Sequence, residues 1–231
     1  TGEATVVATS GNSGARAEIE DIPKEVTYAF GKRHKHVPEM ALYSGFEVNF
    51  TPVVLRSIFA GINSNIRVEL SNELKALSCD AAAGRLREAI AGAYESDDLV
   101  QVVEDSGDHW WGTRDVVGTH KLIIKLGVDD GFAYINALED NLGKGAASQA
   151  VENMNLMQGL DRLYGIDATY RTTENATIET VSGYRWILCT PEKVGLSNSF
   201  ELDSAVAYTG IQTFVIFPGA RSAPEIFQWF S

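Results

Sequence analysis

The sequence predicts an α+β domain, with a mixed or antiparallel sheet and helices packed on one face, followed by a β-rich C-terminal extension. Three observations carry this. Short alternating or β-branched runs recur between residues 5 and 138, bounded by Gly, Pro, Asn or Asp. Asp129-Asp130-Gly131 lies between two such runs and is a hairpin signal. Apolar residues at three- and four-residue spacing mark helices within 81–94 and 139–160, and strands interleaved with a few helices suit a sheet covered on one side.

In chain order, Thr5 to Thr9 is a β-branched strand that runs into the turn Ser10-Gly11-Asn12-Ser13-Gly14. Two glycines there leave backbone N–H groups free and let another group approach closely. Val26 to Phe30 alternates as a strand and ends at Gly31. The cationic run Lys32-Arg33-His34-Lys35-His36 follows, with a helix entry at Pro38. Phe46 to Phe50 alternates and is expected to stop at Thr51-Pro52. Ile66 to Leu70 alternates again, and Ala81 to Tyr94 has helical spacing through Leu86, Ile90 and Ala93. Leu99 to Val103 is a short strand, and Asp105 to Thr113 is a polar loop carrying His109, Trp110 and Trp111. Lys121–Val128 and Phe132–Leu138 are the arms of the hairpin.

Glu139 to Leu160 is the helix on which the rest of the chain is organised. Ala146, Ala147, Ala150, Val151, Met154 and Met157 share one side, which predicts an apolar core face. Asp140 or Asn141 can cap its start, and Gly159 is a left-handed stop. The small residues at its beginning let it lie close to a backbone or a ligand. Residues 166–231 form a separate, unassigned extension in which Tyr184–Cys189 and Gln212–Phe217 read as buried strands.

Composition bounds the function. The 231 residues are 45% hydrophobic and 22% charged, enough for a sizeable core and against disorder. A net charge of −12 argues against non-specific nucleic-acid binding, while a small phosphorylated substrate needs only a local cationic site. No apolar run approaches the ~20 residues of a membrane-spanning helix. Cys79 and Cys189 are far apart, so neither a disulfide framework nor a zinc site is expected, and a reducing, cytoplasmic setting (an organelle matrix in a eukaryote) fits better. The acidic pairs Asp97-Asp98 and Asp129-Asp130 read as solvated turns, and no metal site is expected. The chain opens on Thr1, which is read as a fragment, a processed chain or a trimmed one.

Four motifs stand in one order: Ala8-Thr9-Ser10-Gly11-Asn12-Ser13-Gly14-Ala15, Arg33-His34-Lys35-His36-Val37-Pro38-Glu39-Met40, Val48-Asn49-Phe50-Thr51-Pro52, and Glu139-Asp140-Asn141-Leu142-Gly143-Lys144-Gly145-Ala146-Ala147-Ser148-Gln149-Ala150-Val151. Across residues 4 to about 165 the chain thereby resembles the second half of the N-acetyl-gamma-glutamyl-phosphate reductase family. The resemblance implies a glyceraldehyde-3-phosphate-dehydrogenase-like C-terminal domain, residues 1–165, for substrate binding and dimerisation. It also implies NADP-dependent reduction of an acyl phosphate to an aldehyde in arginine biosynthesis, and a homo-oligomer, dimer or tetramer. In that family a cysteine thiolate within an Asn-Pro-Gly-Cys motif attacks the acyl phosphate. In the family that motif and the Rossmann fingerprint lie upstream of these four, so the chain is expected to be part of the enzyme.

By the same resemblance His36 matches the catalytic histidine that handles the proton. Ser10 and Ser13 match the turn that lies against substrate and cofactor, and His34 matches the family's first histidine; with Arg33 and Arg56 nearby in sequence, these are the candidate substrate-binding residues, the cations suited to a phosphate or carboxylate. Gly11, Asn141 and Gly145 fall where the domain meets the nicotinamide of NADP. Two alternatives stay open: the related aminoadipyl-phosphate reductase of lysine biosynthesis, and a non-catalytic dimerisation scaffold of the same fold. Cys79 precedes a helix and Cys189 precedes Thr190-Pro191, but both read as structural, like most buried cysteines. His109 reads as part of a packed loop and His120 as structural or supporting.

Overall fold

The computed structural model describes residues 2–14, 21–105 and 107–166 of the chain. The expectations for Cys189, for the strands at 184–189 and 212–217, and for nearly all of the extension lie outside these residues.

Seven strands form one mixed sheet: β1 (Glu3–Gly11), β2 (Glu25–Thr27), β3 (Glu47–Leu55), β4 (Ile62–Glu69), β5 (Val100–Val103), β6 (Leu122–Asp129) and β7 (Phe132–Glu139). Their order is β2-β3-β1-β4-β7-β6-β5. β1 pairs parallel to β3 and β5 parallel to β6, while the other neighbours are antiparallel. A parallel pair needs a crossover connection, and α1 (Val37–Ser44) lies within the one that joins β1 to β3.

Alternation decides the faces. In β1 the residues Ala4, Val6, Ala8 and Ser10 are buried, and in β3 Val48, Phe50, Pro52 and Val54 are. These side chains point to one face, where Val37 and Met40 of α1 pack on Val6, Phe46, Val48 and Phe50. On the same face Ala82, Leu86 and Ile90 of α3 (Cys79–Ala93) pack on Leu122, Ile124, Leu126, Ala133 and Ala137. The short α2 (Asn72–Lys75) adds Leu74 to that cluster. Leu86 and Ile90 are about 1–2% exposed, and each contributes roughly 1.5–3 kcal/mol by leaving water. Ser78 caps α3 by accepting the Ala81 N–H at 3.3 Å. The opposite face is covered only in part, where Trp111 and Val116 pack on Ile123 and Leu138. The α+β, one-sided architecture is the one the sequence predicts.

Several boundaries differ from expectation. β3 does not stop at Thr51-Pro52 but runs through Pro52 to Leu55, with Pro52 opposite Ala8. Pro52 needs no donor on its outer side, because the β2 pairing begins only at Val53. The strand expected over 26–30 ends at Thr27, since Ala29 takes a positive φ of 43° and turns the chain. Asp130 and Gly131, both with positive φ, form the hairpin turn between β6 and β7.

The largest correction concerns the helix at 139–160. Its regular part is α4 (Ser148–Met157), entered through a turn of π-helix over Gly143–Ala147. The face turned inward is polar: Lys144, Ser148, Glu152 and Asn155 are all buried. Met154 and Met157, expected in the core, are exposed, and Met157 is 83% so. Hydrophobic periodicity names the apolar side of a helix but cannot say whether that side faces the sheet. Here a set of ion pairs and hydrogen bonds satisfies the polar side instead. Gly159 takes a φ of 68° after the helix, as expected.

Candidate functional site

One row of paired residues crosses all seven strands: Val26, Val54, Ser10, Ile62, Glu139, Leu122 and Val100. The motif residues Ser10 and Glu139 therefore stand two strands apart at the same end of the sheet. Beyond this row the chain leaves β1, β3 and β7 in three loops; the first two bond through their backbones, and the third reaches them through the Asn141 side chain.

The Ser10–Gly14 turn is fixed by its own backbone. The N–H groups of Gly11, Asn12 and Ser13 donate to the carbonyls of Gly61, Ile58 and Phe59 at 2.8–3.0 Å. Asn12 Nδ2 donates to the Arg56 carbonyl at 2.6 Å. Asn141 joins the turn from the other side: its Nδ2 donates to Ser13 Oγ at 2.9 Å, and its Oδ1 accepts the Gly61 N–H at 2.7 Å. Asn141 thus does not cap the helix. Asp140 takes the role nearest to a cap, accepting the Leu142 N–H at 2.9 Å through Oδ1 and the Gly118 N–H at 2.7 Å through Oδ2.

Four glycines make these approaches possible. A Cβ on Gly11 would lie 2.3 Å from the Phe59 carbonyl oxygen, and one on Gly143 would lie 2.5 Å from that of Thr119. A Cβ on Gly145 would lie 2.6 Å from Glu139 Oε1. Gly61 has a φ of 104°, and a Cβ there would meet Thr113 and Val117 at 2.8–2.9 Å. At Gly11 the Cβ direction is closed by the Phe59 and Ala60 backbone, and at Gly145 by the end of the Glu139 side chain.

The histidines stand apart from this junction. Gly31 bridges to Phe50, four residues before Val54 along β3, or about 13 Å at strand spacing. His34 is 6% exposed, and its ring packs against Phe50 at 5.0 Å and Tyr28 at 5.8 Å between centroids. Its Nδ1 accepts the backbone N–H of His36 at 3.3 Å. Burial, with the His36 and Lys35 charges adding to it, lowers the His34 pKa to about 4. His34 is therefore a buried ring, neutral near pH 7, although it stands within a cationic run of the sequence. His36 is half-buried at the residue before α1, its ring 4.9 Å from that of His34. Arg33 is exposed and lies over the Phe30 ring at 4.7 Å. Arg56 is exposed beside the Ser10–Gly14 turn, with Nη1 at 3.5 Å from the Ile22 carbonyl.

The structure thus brings together Ser10, Gly11, Ser13, Arg56, Asn141 and Gly145, and sets Arg33, His34 and His36 further along β3. Sequence reasoning missed Gly61 and the Thr113–Thr119 segment, whose tight fit is visible only when the loops are placed. It also missed Lys144 and Glu152, whose spacing of eight residues matches no helical pair rule. Cys79 opens α3 and is exposed. That end of the molecule is the hairpin end, where the Leu70 N–H donates to the Gly131 carbonyl. It lies a full length of β7, about 24 Å, from the junction. His109 Nε2 pairs with Asp115 Oδ1 at 2.9 Å, and Trp111 packs inward while Trp110 is exposed, so the loop is packed as expected. His120 is buried, in keeping with a structural role. Asp97 is not a solvated turn residue: its Oδ1 accepts from Leu99 N and from Arg162 Nη2, both at 3.0 Å. Among the described residues, no group of three His, Cys, Asp or Glu side chains is placed to hold a metal ion.

The profile of the family described as semialdehyde dehydrogenase, dimerisation domain, matches residues 1–141. An N-acetyl-gamma-glutamyl-phosphate reductase of Pseudoalteromonas atlantica is 36% identical over 135 residues, covering 58% of this chain and 36% of that protein. One of Pseudarthrobacter chlorophenolicus is 30% identical over 180 residues, covering 71% of this chain and 50% of that protein. A probable chloroplastic N-acetyl-gamma-glutamyl-phosphate reductase of Oryza sativa is 31% identical, covering 69% and 38%. Among solved structures, aspartate semialdehyde dehydrogenase II of Vibrio cholerae aligns with a TM-score of 0.49 at 17% identity, over 68% of this chain and 55% of that one. The chain spans half or less of the length of these three reductases.

Proposed function

The chain belongs to the semialdehyde dehydrogenase dimerisation-domain family, and on that premise we propose that residues 1–165 are the substrate-facing and subunit-pairing part of an N-acetyl-gamma-glutamyl-phosphate reductase. The reaction is the NADP-dependent reduction of N-acetyl-glutamyl phosphate to its semialdehyde. The observation that carries this reading is the bond between Asn141 and Ser13, which unites two motifs 128 positions apart at one end of the sheet.

In this reading Ser10, Ser13 and Asn141 form the floor on which substrate and cofactor meet. Asn141 is half-buried and its amide keeps a second N–H beyond the one given to Ser13, so it can face a nicotinamide. Within this chain the side chain that would meet NADP is Asn141, with Gly11 and Gly145 offering backbone on either side of it. NADPH, when bound, supplies the hydride. Arg56, exposed beside the turn, offers the fixed charge for a phosphate or carboxylate, with Arg33 as a second cation. His36 handles the proton, held in place by the start of α1 and by the buried ring of His34.

The second copy of the chain sits on the sheet face that carries no helix. That face holds a groove of about 480 Å³ lined by Thr5, Val7, Asn65, Arg67, Tyr134 and Asn136 among others. Val7 and Tyr134 are 38% and 44% exposed there, apolar side chains that a second copy would cover.

The test is phosphate-dependent reduction of NADP with N-acetylglutamate semialdehyde, measured on the gene product that carries this chain. Turnover is expected, with kcat falling roughly 10²–10⁴-fold in His36→Ala. No turnover of this substrate, or full activity in His36→Ala, overturns the substrate or the histidine assignment respectively.

A further inference from the structure

The inward face of α4 holds a closed set of charges. Lys144 Nζ lies 2.7 Å from Glu152 Oε1, and these side chains are 8% and 3% exposed. Glu152 Oε2 accepts from Arg162 Nη1 at 2.7 Å, and Arg162 Nη2 reaches Asp97 Oδ1 at 3.0 Å. Two cations and two carboxylates balance, so Glu152 sits in the interior with both oxygens occupied. Taking such a pair out of water is costly, and an apolar pair of equal volume would often serve stability as well or better. A buried ion pair is therefore better explained by what it positions than by what it stabilises.

Its geometry points to one consequence. In a uniform α-helix, residues eight apart stand about 80° past two full turns, which turns Lys144 away from Glu152. Here the turn between them is widened. The N–H groups of Gly145, Ala147 and Ser148 donate to the carbonyls of Asp140, Leu142 and Gly143, each five residues back. A wider turn holds more residues and takes back that offset, bringing Lys144, Ser148 and Glu152 onto one buried face. The same turn begins at Asp140, next to Asn141.

We propose that Lys144 is a positioning residue: its ion pair with Glu152 locks the π turn, and the locked turn fixes the Asn141 carboxamide against Ser13 and Gly61. Without the pair, the turn relaxes toward regular α-helix, and the residues at its start rotate with it. The Asn141 amide then loses the alignment that lets it donate to Ser13 and accept from Gly61. Lys144 acts through the backbone and touches none of these groups in its role. The importance of this for catalysis rests on the function proposed above, whereas the positioning itself does not.

The experiment is NMR on the 231-residue chain, reading the Asn141 side-chain amide and the Gly61 N–H. In Lys144→Met the sheet amides are expected to keep their dispersion. The Asn141 side-chain amide shifts, and exchange of the Gly61 N–H rises about tenfold as its bond is lost. Lys144→Arg, which can still reach Glu152, restores both signals. Glu152→Gln keeps the shape and removes the charge, and it supplies the same readout if Lys144→Met does not fold. A folded variant with unchanged Asn141 and Gly61 signals overturns the proposal. So does global unfolding of both variants, since the pair would then hold the whole domain and not the turn. Loss of activity in the semialdehyde assay with normal Asn141 signals counts against Lys144 in this role. Altered signals in a protein that never turns over the semialdehyde leave the positioning standing and sink the substrate.

Discussion

Asn141 Nδ2 donates to Ser13 Oγ at 2.9 Å while its Oδ1 accepts the Gly61 N–H at 2.7 Å, so one side chain ties the β1 turn and the loop before β4 to the start of α4. Three segments distant in sequence meet on one carboxamide, and the donor and acceptor ends of that group are both in use.

Asn141→Ala removes both bonds and leaves the Gly61 N–H without its partner. A loss of roughly 1–3 kcal/mol is expected, read from urea unfolding. Asn141→Asp keeps an acceptor for Gly61, and the Ser13 hydroxyl can turn to donate to the carboxylate, so it should lose clearly less. Equal losses in the two variants would show that an acceptor kept for the Gly61 N–H does not preserve the stability that Asn141 contributes.

The glycines of the junction should resist substitution where a helical glycine does not. Gly143→Ala forces a Cβ to 2.5 Å from the Thr119 carbonyl oxygen, and the backbone must shift at a cost of about 1–3 kcal/mol. Gly92→Ala places a Cβ in open space near the end of α3 and should stabilise by roughly 0.5–1 kcal/mol. Thermal melts of the two variants shifting the same way would contradict the close packing.

Acid should weaken the fold through His34. Its folded pKa is lowered to about 4 from 6.5, chiefly by burial. The unfolded chain therefore binds the proton first, and the stability this side chain contributes above pH 6.5 is lost as pH falls toward 4. His34→Gln lacks the titration, so its stability should fall less between those values than that of the parent. Parallel curves of unfolding free energy against pH would rule this out.

On α4 the expected roles of apolar and polar residues are exchanged. Met157→Gln should change stability by less than about 0.5 kcal/mol, since Met157 is 83% exposed. Asn155→Leu should cost about 1–3 kcal/mol, because Asn155 Nδ2 donates to the carbonyls of Arg162 and Tyr164, both at 2.9 Å. The reverse ranking would mean that the apolar side of α4 faces the sheet.

Self-association is expected through the uncovered face of the sheet. Val7→Arg places a charge at the middle of β1 on that face and should shift the chain to monomer in sedimentation equilibrium. An unchanged mass distribution would move the pairing surface elsewhere.

Much of this was open to sequence reasoning because it is local. The β-branched run of β1, the alternation in β6, the Asp129-Asp130-Gly131 turn and the Leu86–Ile90 spacing each follow from neighbours in the chain, and each element forms nearly where expected. Ser10, Ser13 and Asn141 stand out in the sequence by resemblance alone, and the strand register supplies the reason that their segments adjoin. What tertiary structure decided is orientation and charge state. His34 reads as a cation beside Lys35 and becomes a neutral core ring, because only the folded sheet sets Phe50 and Tyr28 around it. The helix after Glu139 has an apolar side in any reading. Which side turned inward depended on Arg162 and Asp97 arriving to balance Lys144 and Glu152, partners that local spacing does not contain. Periodicity along a chain fixes a face; only long-range electrostatics and packing decide what that face meets.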